Sequence, residues 1–175
     1  MRRLAVQVLV AMLVIPGVVA AQSPQPSTAP SAMTGGSPAA SLDASACRGD
    51  VEMDVLPEWA REGFTDPEPS PPHTDGSSGE IVAVLFGYPL TYPPRPDTNN
   101  QILWVAKDMT SASDLAISAQ LMDGAAAVGV PVDRTVLGGP GPSVIDLPAV
   151  GCWRLTLDWG DQMDSLDLEY ITPAG

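Results

Sequence analysis

The chain has one histidine, His73, in the run SPPHTDGSSGE, with Asp75, Ser77, Ser78 and Glu80 close behind it. Imidazole, hydroxyl and carboxylate are the materials of a hydrolase. The imidazole takes the hydroxyl proton, the carboxylate orients the imidazole, and the freed oxygen attacks a carbonyl. Such a set needs a scaffold to bring its members together and a constrained turn to present the nucleophile. Here all of them lie on one short run and no G-x-S-x-G is present. A secreted hydrolase using His73 is therefore the alternative reading, and a solvated loop histidine the plainer one. GGPGPS at 138–143 is rich in glycine, but it lacks the Gly-Lys-Ser/Thr ending of a phosphate loop and precedes no helix. It reads as a tight turn between strands.

Carboxylates crowd DWGDQMDSLDLE at 158–169. Asp158, Asp161 and Asp164 surround an expected hairpin turn, and calcium takes several oxygen ligands from such turns. The D-x-D-x-D-G order of an EF-hand is missing, so a weak calcium site competes with a solvated acidic hairpin that protects a sheet edge. For zinc or copper the supply is poor: one histidine, and two cysteines that read as bridged. No cofactor motif occurs. Tyr92, Pro93, Pro94, Arg95 and Pro96 have P-x-x-P spacing. They form either a stiff loop or a partner-contact segment for an aromatic groove.

The organisation around these residues begins with export. Met1-Arg2-Arg3 is basic, Leu4 to Ile15 is apolar, and Pro16-Gly17 leads to small residues ending at Ala21. That is the order of a signal peptide over residues 1–21, too short to span a bilayer. No cysteine stands near the cleavage point, so lipid attachment there is not expected. Residues 22–45 are almost entirely Ser, Pro, Ala, Gly, Gln and Thr, which predicts a disordered linker. Residues 46–175 are expected to form one domain. The formal net charge of −13 becomes −15 when Arg2 and Arg3 leave with the leader, since no acid leaves with them. Such a surface repels nucleic acid and anionic lipid and draws cations or basic partners. Two cysteines in an exported chain read as one bridge, Cys47–Cys152.

Strand patterns dominate the domain: residues 80–87, 101–107, 114–121, 143–147, and a hairpin of 151–159 with 165–171 whose turn is 160–164. Residues 125–137 are weaker, because Gly129 and Pro131 suit an edge. Leu56–Phe64 predicts one short helix that must pack on the sheet. Proline-rich loops fill 65–79 and 88–100. Short strands, Gly/Pro-rich connections and little helix give an all-β antiparallel sandwich.

The order Cys47, Trp104, Cys152 follows the immunoglobulin-like pattern. With LPEWAREGF, LFGYPL, NNQILWV, GGPGPSVIDLP and LPAVGCWRLTL, the chain resembles exported bacterial immunoglobulin-like β-sandwich proteins of unassigned function. The resemblance covers most of residues 47–171. Its motifs are architectural, so it implies a fold and no catalytic residues. One departure stands out: in GCWRLTLDW, Cys152 is out of phase with Trp153, Leu155, Leu157 and Trp159. A bridge across the core is not expected. Cys152 should face outward, with the segment around Cys47, Trp59 and Phe64 stapled over that face. The functional expectation is an exported, non-enzymatic binding or cell-envelope module of unknown partner, secreted or associated with the cell wall. A structural cell-wall component is a further alternative.

Overall fold

The computed structural model describes Cys47 and residues 51–108 and 113–174. The signal-peptide and linker readings fall outside these residues. Among the described residues no helix is long and apolar enough to cross a membrane.

Among the described residues, eight strands form two antiparallel sheets. They are β1 (His73–Asp75), β2 (Ile81–Leu85), β3 (Gln101–Ala106), β4 (Leu115–Asp123), β5 (Ala126–Val136), β6 (Pro142–Val144), β7 (Gly151–Trp159) and β8 (Gln162–Tyr170). The first sheet runs β1-β2-β3-β6 and the second β5-β4-β7-β8. Their facing sides make one core. Ile81, Ala83 and Leu85 of β2, with Ile102 and Trp104 of β3, meet Leu115 and Ile117 of β4 and Trp153, Leu155, Leu157 and Trp159 of β7. At roughly 1.5–3 kcal/mol for each large apolar side chain fully buried, this layer is the main term favouring the fold. The Tyr170 hydroxyl closes one end by donating to the Ile145 carbonyl. Burial first, and the nearby Asp146 charge second, push its ionisation far above the ordinary tyrosine value.

The unbroken apolar run of β2 is explained by a second layer. Val82 and Val84 point out of the sandwich, and Leu56 and Ala60 bury against them, with Trp59, Phe64, Leu103 and Val105 packed around. Two expectations are corrected here. Leu56–Phe64 is not a helix but a single 3-10 turn, Glu58–Ala60, with Gly63 leaving the segment at φ 91°. A segment of that length cannot sustain helix nucleation. And Trp59 and Phe64 cover the first sheet, not the face that carries Cys152. The outer faces of β2 and β3 offer valine and leucine, whereas β7 offers Arg154, Thr156 and Asp158.

The phase of β7 puts Cys152 on the outer side of the second sheet, opposite Met122 and Glu169. It is buried there and bonded to Cys47, 105 residues away. The bridge therefore ties an N-terminal segment to one sheet and does not cross the core. Of that segment near the bridge, residues 48–50 lie outside the described residues.

β5 is an edge strand, exposed over nearly all its length. Its register with β4 shifts between Ala119 and Leu121. Gly129, Val130 and Pro131 there oppose Gln120 alone, and the Gln120 amide donates to the Val128 carbonyl. Glycine and proline thus mark a bulge, which twists the edge away from further pairing.

Candidate functional site

His73 is neither solvated nor on a loose loop. It begins β1, pairs with Val84, and is 1% exposed. On its other side Glu52 forms an isolated bridge with it: the Glu52 N–H donates to the His73 carbonyl at 2.7 Å and the His73 N–H to the Glu52 carbonyl at 3.0 Å. In extended chain, residues two apart share a side, so Glu52 and Asp54 both turn toward the histidine. Nε2 lies 3.6 Å from Glu52 Oε2 and 3.7 Å from Asp54 Oδ1. Nδ1 lies 2.9 Å from the Pro71 carbonyl oxygen, which can only accept, so Nδ1 carries the proton. Glu52, Asp54 and His73 could hold a metal ion, one ligand atom from each. Sequence reasoning did not join the two acids to His73. The signal available was the E-x-D spacing in VEMDV, which has no meaning until its strand partner is known.

The hydrolase neighbours are dispersed. The Ser77 hydroxyl bonds Ser165 Oγ at 2.9 Å and Asp164 Oδ1 at 3.2 Å. Glu80 pairs with Lys107, whose ammonium lies 5.4 Å from the Trp59 ring centre. The His73 ring meets Pro71, Glu52 and Asp54. Ser77 lines a cleft between β1 and β8 with Thr74, Asp75, Arg154, Ser165, Leu166 and Asp167. Its central charges are already matched, because Arg154 Nε and Nη2 donate to the two Asp167 oxygens at 2.9 and 3.0 Å. That pair raises the Arg154 ionisation further.

The acidic hairpin does not gather its three carboxylates. Trp159 pairs with Gln162, so the turn is only Gly160-Asp161, with Gly160 at φ 61°, and Asp164 belongs to β8. Asp158 opposes Met163 while Asp164 opposes Leu157, which sends the two side chains to opposite faces. Asp158 and Asp161 are exposed, whereas Asp164 is buried. Asp164 Oδ1 accepts from the Ser78 and Ser165 N–H groups, and Oδ2 accepts from the Glu80 N–H. It is a clamp on the β1–β2 turn. Burial by itself would raise its pKa. The backbone donors outweigh burial and hold the group below the ordinary carboxylate value.

The loop between β2 and β3 is ordered from both ends. Leu90 is in the core, Thr91 bridges Ile171, and the Tyr92 N–H donates to the Ile171 carbonyl. Asn100, 1% exposed, accepts from the Thr91 N–H at 2.9 Å and donates to the Thr91 carbonyl at 3.0 Å and to Asp146 at 2.8 Å. Asn100→Ala leaves the buried polar groups of Thr91 without partners. It should lose about 2–3 kcal/mol in urea unfolding and speed hydrogen exchange at the Thr91 amide. Of the candidate contact residues, Tyr92, Pro93, Pro94 and Pro96 are exposed, but Arg95 is half-buried and donates to the Gly87 carbonyl.

All three exposed aromatic side chains of the protein lie between residues 86 and 92: Phe86, Tyr88 and Tyr92. Phe86 also stacks at a tilt on Phe64, with ring centres 6.5 Å apart. No family model, curated protein or solved structure matches this chain.

Proposed function

We propose that the protein is an exported, non-enzymatic binding module of the immunoglobulin-like type, and that the clamped 86–96 loop contacts a component of the cell envelope. One observation carries the reading. The exposed aromatics are gathered on a single loop whose middle, Leu90 and Thr91, is fixed in the core and to Asn100 at its C-terminal end. Tyrosine and phenylalanine supply large contact area with few rotatable bonds, and a loop ordered beforehand loses little entropy on binding. The non-enzymatic reading is supported by Ser77 and His73 being engaged by different partners. The disulfide is compatible with an extracellular setting.

The test is co-sedimentation of the secreted protein with washed envelopes of the producing cell. Saturable binding is expected. The triple variant Phe86→Ala, Tyr88→Ala, Tyr92→Ala should weaken it at least tenfold, each hot-spot aromatic contributing roughly 1 kcal/mol or more, with an unchanged circular dichroism spectrum. Binding equal to that of the parent would remove this loop as the contact surface.

A further inference from the structure

We propose that Glu52, Asp54 and His73 bind one divalent first-row transition-metal ion, with zinc as the reference case. The inference starts from a mismatch. Nδ1 of the buried His73 spends its proton on the Pro71 carbonyl. Neutral imidazole then presents a lone pair at Nε2, and that lone pair faces two carboxylate oxygens at 3.6 and 3.7 Å. Both distances are beyond a hydrogen bond. In that tautomer three electron-pair donors converge on one point, and a shared cation offsets their mutual repulsion.

The spacing fits a metal ion. The three ligand atoms lie within 4.8 Å of one another. Zinc bonds of about 2.0–2.1 Å at tetrahedral angles place ligand atoms about 3.4 Å apart. The two nitrogen-to-oxygen separations need to close by only a few tenths of an ångström, and the acidic side chains are free to move, with Glu52 49% and Asp54 76% exposed. The Pro71 carbonyl plays the part usual for metal-bound histidines: it fixes the tautomer and the ring plane. An imidazole donor disfavours calcium and magnesium, which take oxygen. The exposed carboxylates also give an entry path and leave a coordination position for water or an outside ligand. The acidic surface, with a formal charge of −13, concentrates cations around it.

The competing occupant is a proton: an imidazolium held between two carboxylates. Because His73 is the only histidine, its ring can be followed without assignment ambiguity. The full secreted protein, disulfide intact, would be titrated with zinc alone at pH 7.5 by calorimetry and by long-range nitrogen–proton NMR. One ion per chain is expected, with affinity falling at least tenfold in Glu52→Gln and in Asp54→Asn. Nε2 should move to a metal-bound shift while Nδ1 keeps its proton. No saturable uptake, uptake indifferent to both variants, or an Nε2 still protonated at saturating zinc would overturn the proposal.

Discussion

The double variant Cys47→Ser, Cys152→Ser is expected to lose about 4 kcal/mol of stability, the largest effect of any change considered. The bridge closes a loop of 105 residues that includes strands β1 to β6. In the chain-entropy model a loop of that size is worth up to ~4.7 kcal/mol, acting on the unfolded chain. A second loss comes from the site itself, since Cys152 is 3% exposed and a serine hydroxyl there needs a hydrogen-bond partner that a sulfur does not. Urea unfolding with and without reductant checks this. The parent protein should lose most of that stability when reduced, stopping short of the variant by the cost of the buried serine hydroxyl, and the variant should ignore reductant. Either single substitution should cost nearly as much as the double, because one missing sulfur opens the whole loop. A loss below about 1 kcal/mol would mean that the unfolded chain already holds these ends together.

The strands were legible where side-chain phase carried them. Trp153, Leu155, Leu157 and Trp159 do face the core, and Cys152 does lie on the other side. Gly129 and Pro131 marked an edge and proved to mark its bulge as well. What was not legible depended on pairing between segments far apart or too short to show a period. β1 has three residues between prolines and polar turns, so neither alternation nor composition revealed it. With β1 unseen, His73 read as a loop residue and its partners Glu52 and Asp54 could not be found. The sequence predicts a hairpin turn over residues 160–164, which places Asp164 beside Asp158 and Asp161. The tight Gly160-Asp161 turn moves it into β8 and reverses its direction. Leu56–Phe64 is legible as a segment that must cover a sheet, but the expectation that it covers the face carrying Cys152 picks the wrong sheet. The right choice follows from the apolar outer faces of β2 and β3, visible only once their register is fixed.

Asp164→Asn should cost about 3 kcal/mol, second only to the disulfide. Oδ1 takes the Ser78 and Ser165 N–H groups and the Ser77 hydroxyl, while Oδ2 takes the Glu80 N–H. An amide in the same place can satisfy only one of these sides. Its NH2 then points at a donor, and hydrogen bonds to a charged acceptor are exchanged for weaker ones, at roughly 1.5–3 kcal/mol for a charged partner. The fit leaves no slack, because a Cβ on Gly76 would stand 2.2 Å from Asp164 Oδ2. Gly76→Ala should therefore act on the same clamp, and combining it with Asp164→Asn should cost less than the sum of the two. The pH dependence has a definite sign. The folded-state pKa of Asp164 lies below the unfolded value of about 3.9. Its contribution is complete above that value and is lost as pH falls through the folded pKa. The stability gap between parent and Asp164→Asn should thus stay constant from pH 8 down to about pH 5 and narrow below about pH 4. A gap that widens on acidification would show that the carboxylate is not the favoured form in the folded protein. A gap that never closes would assign the cost of the variant to shape and not to charge.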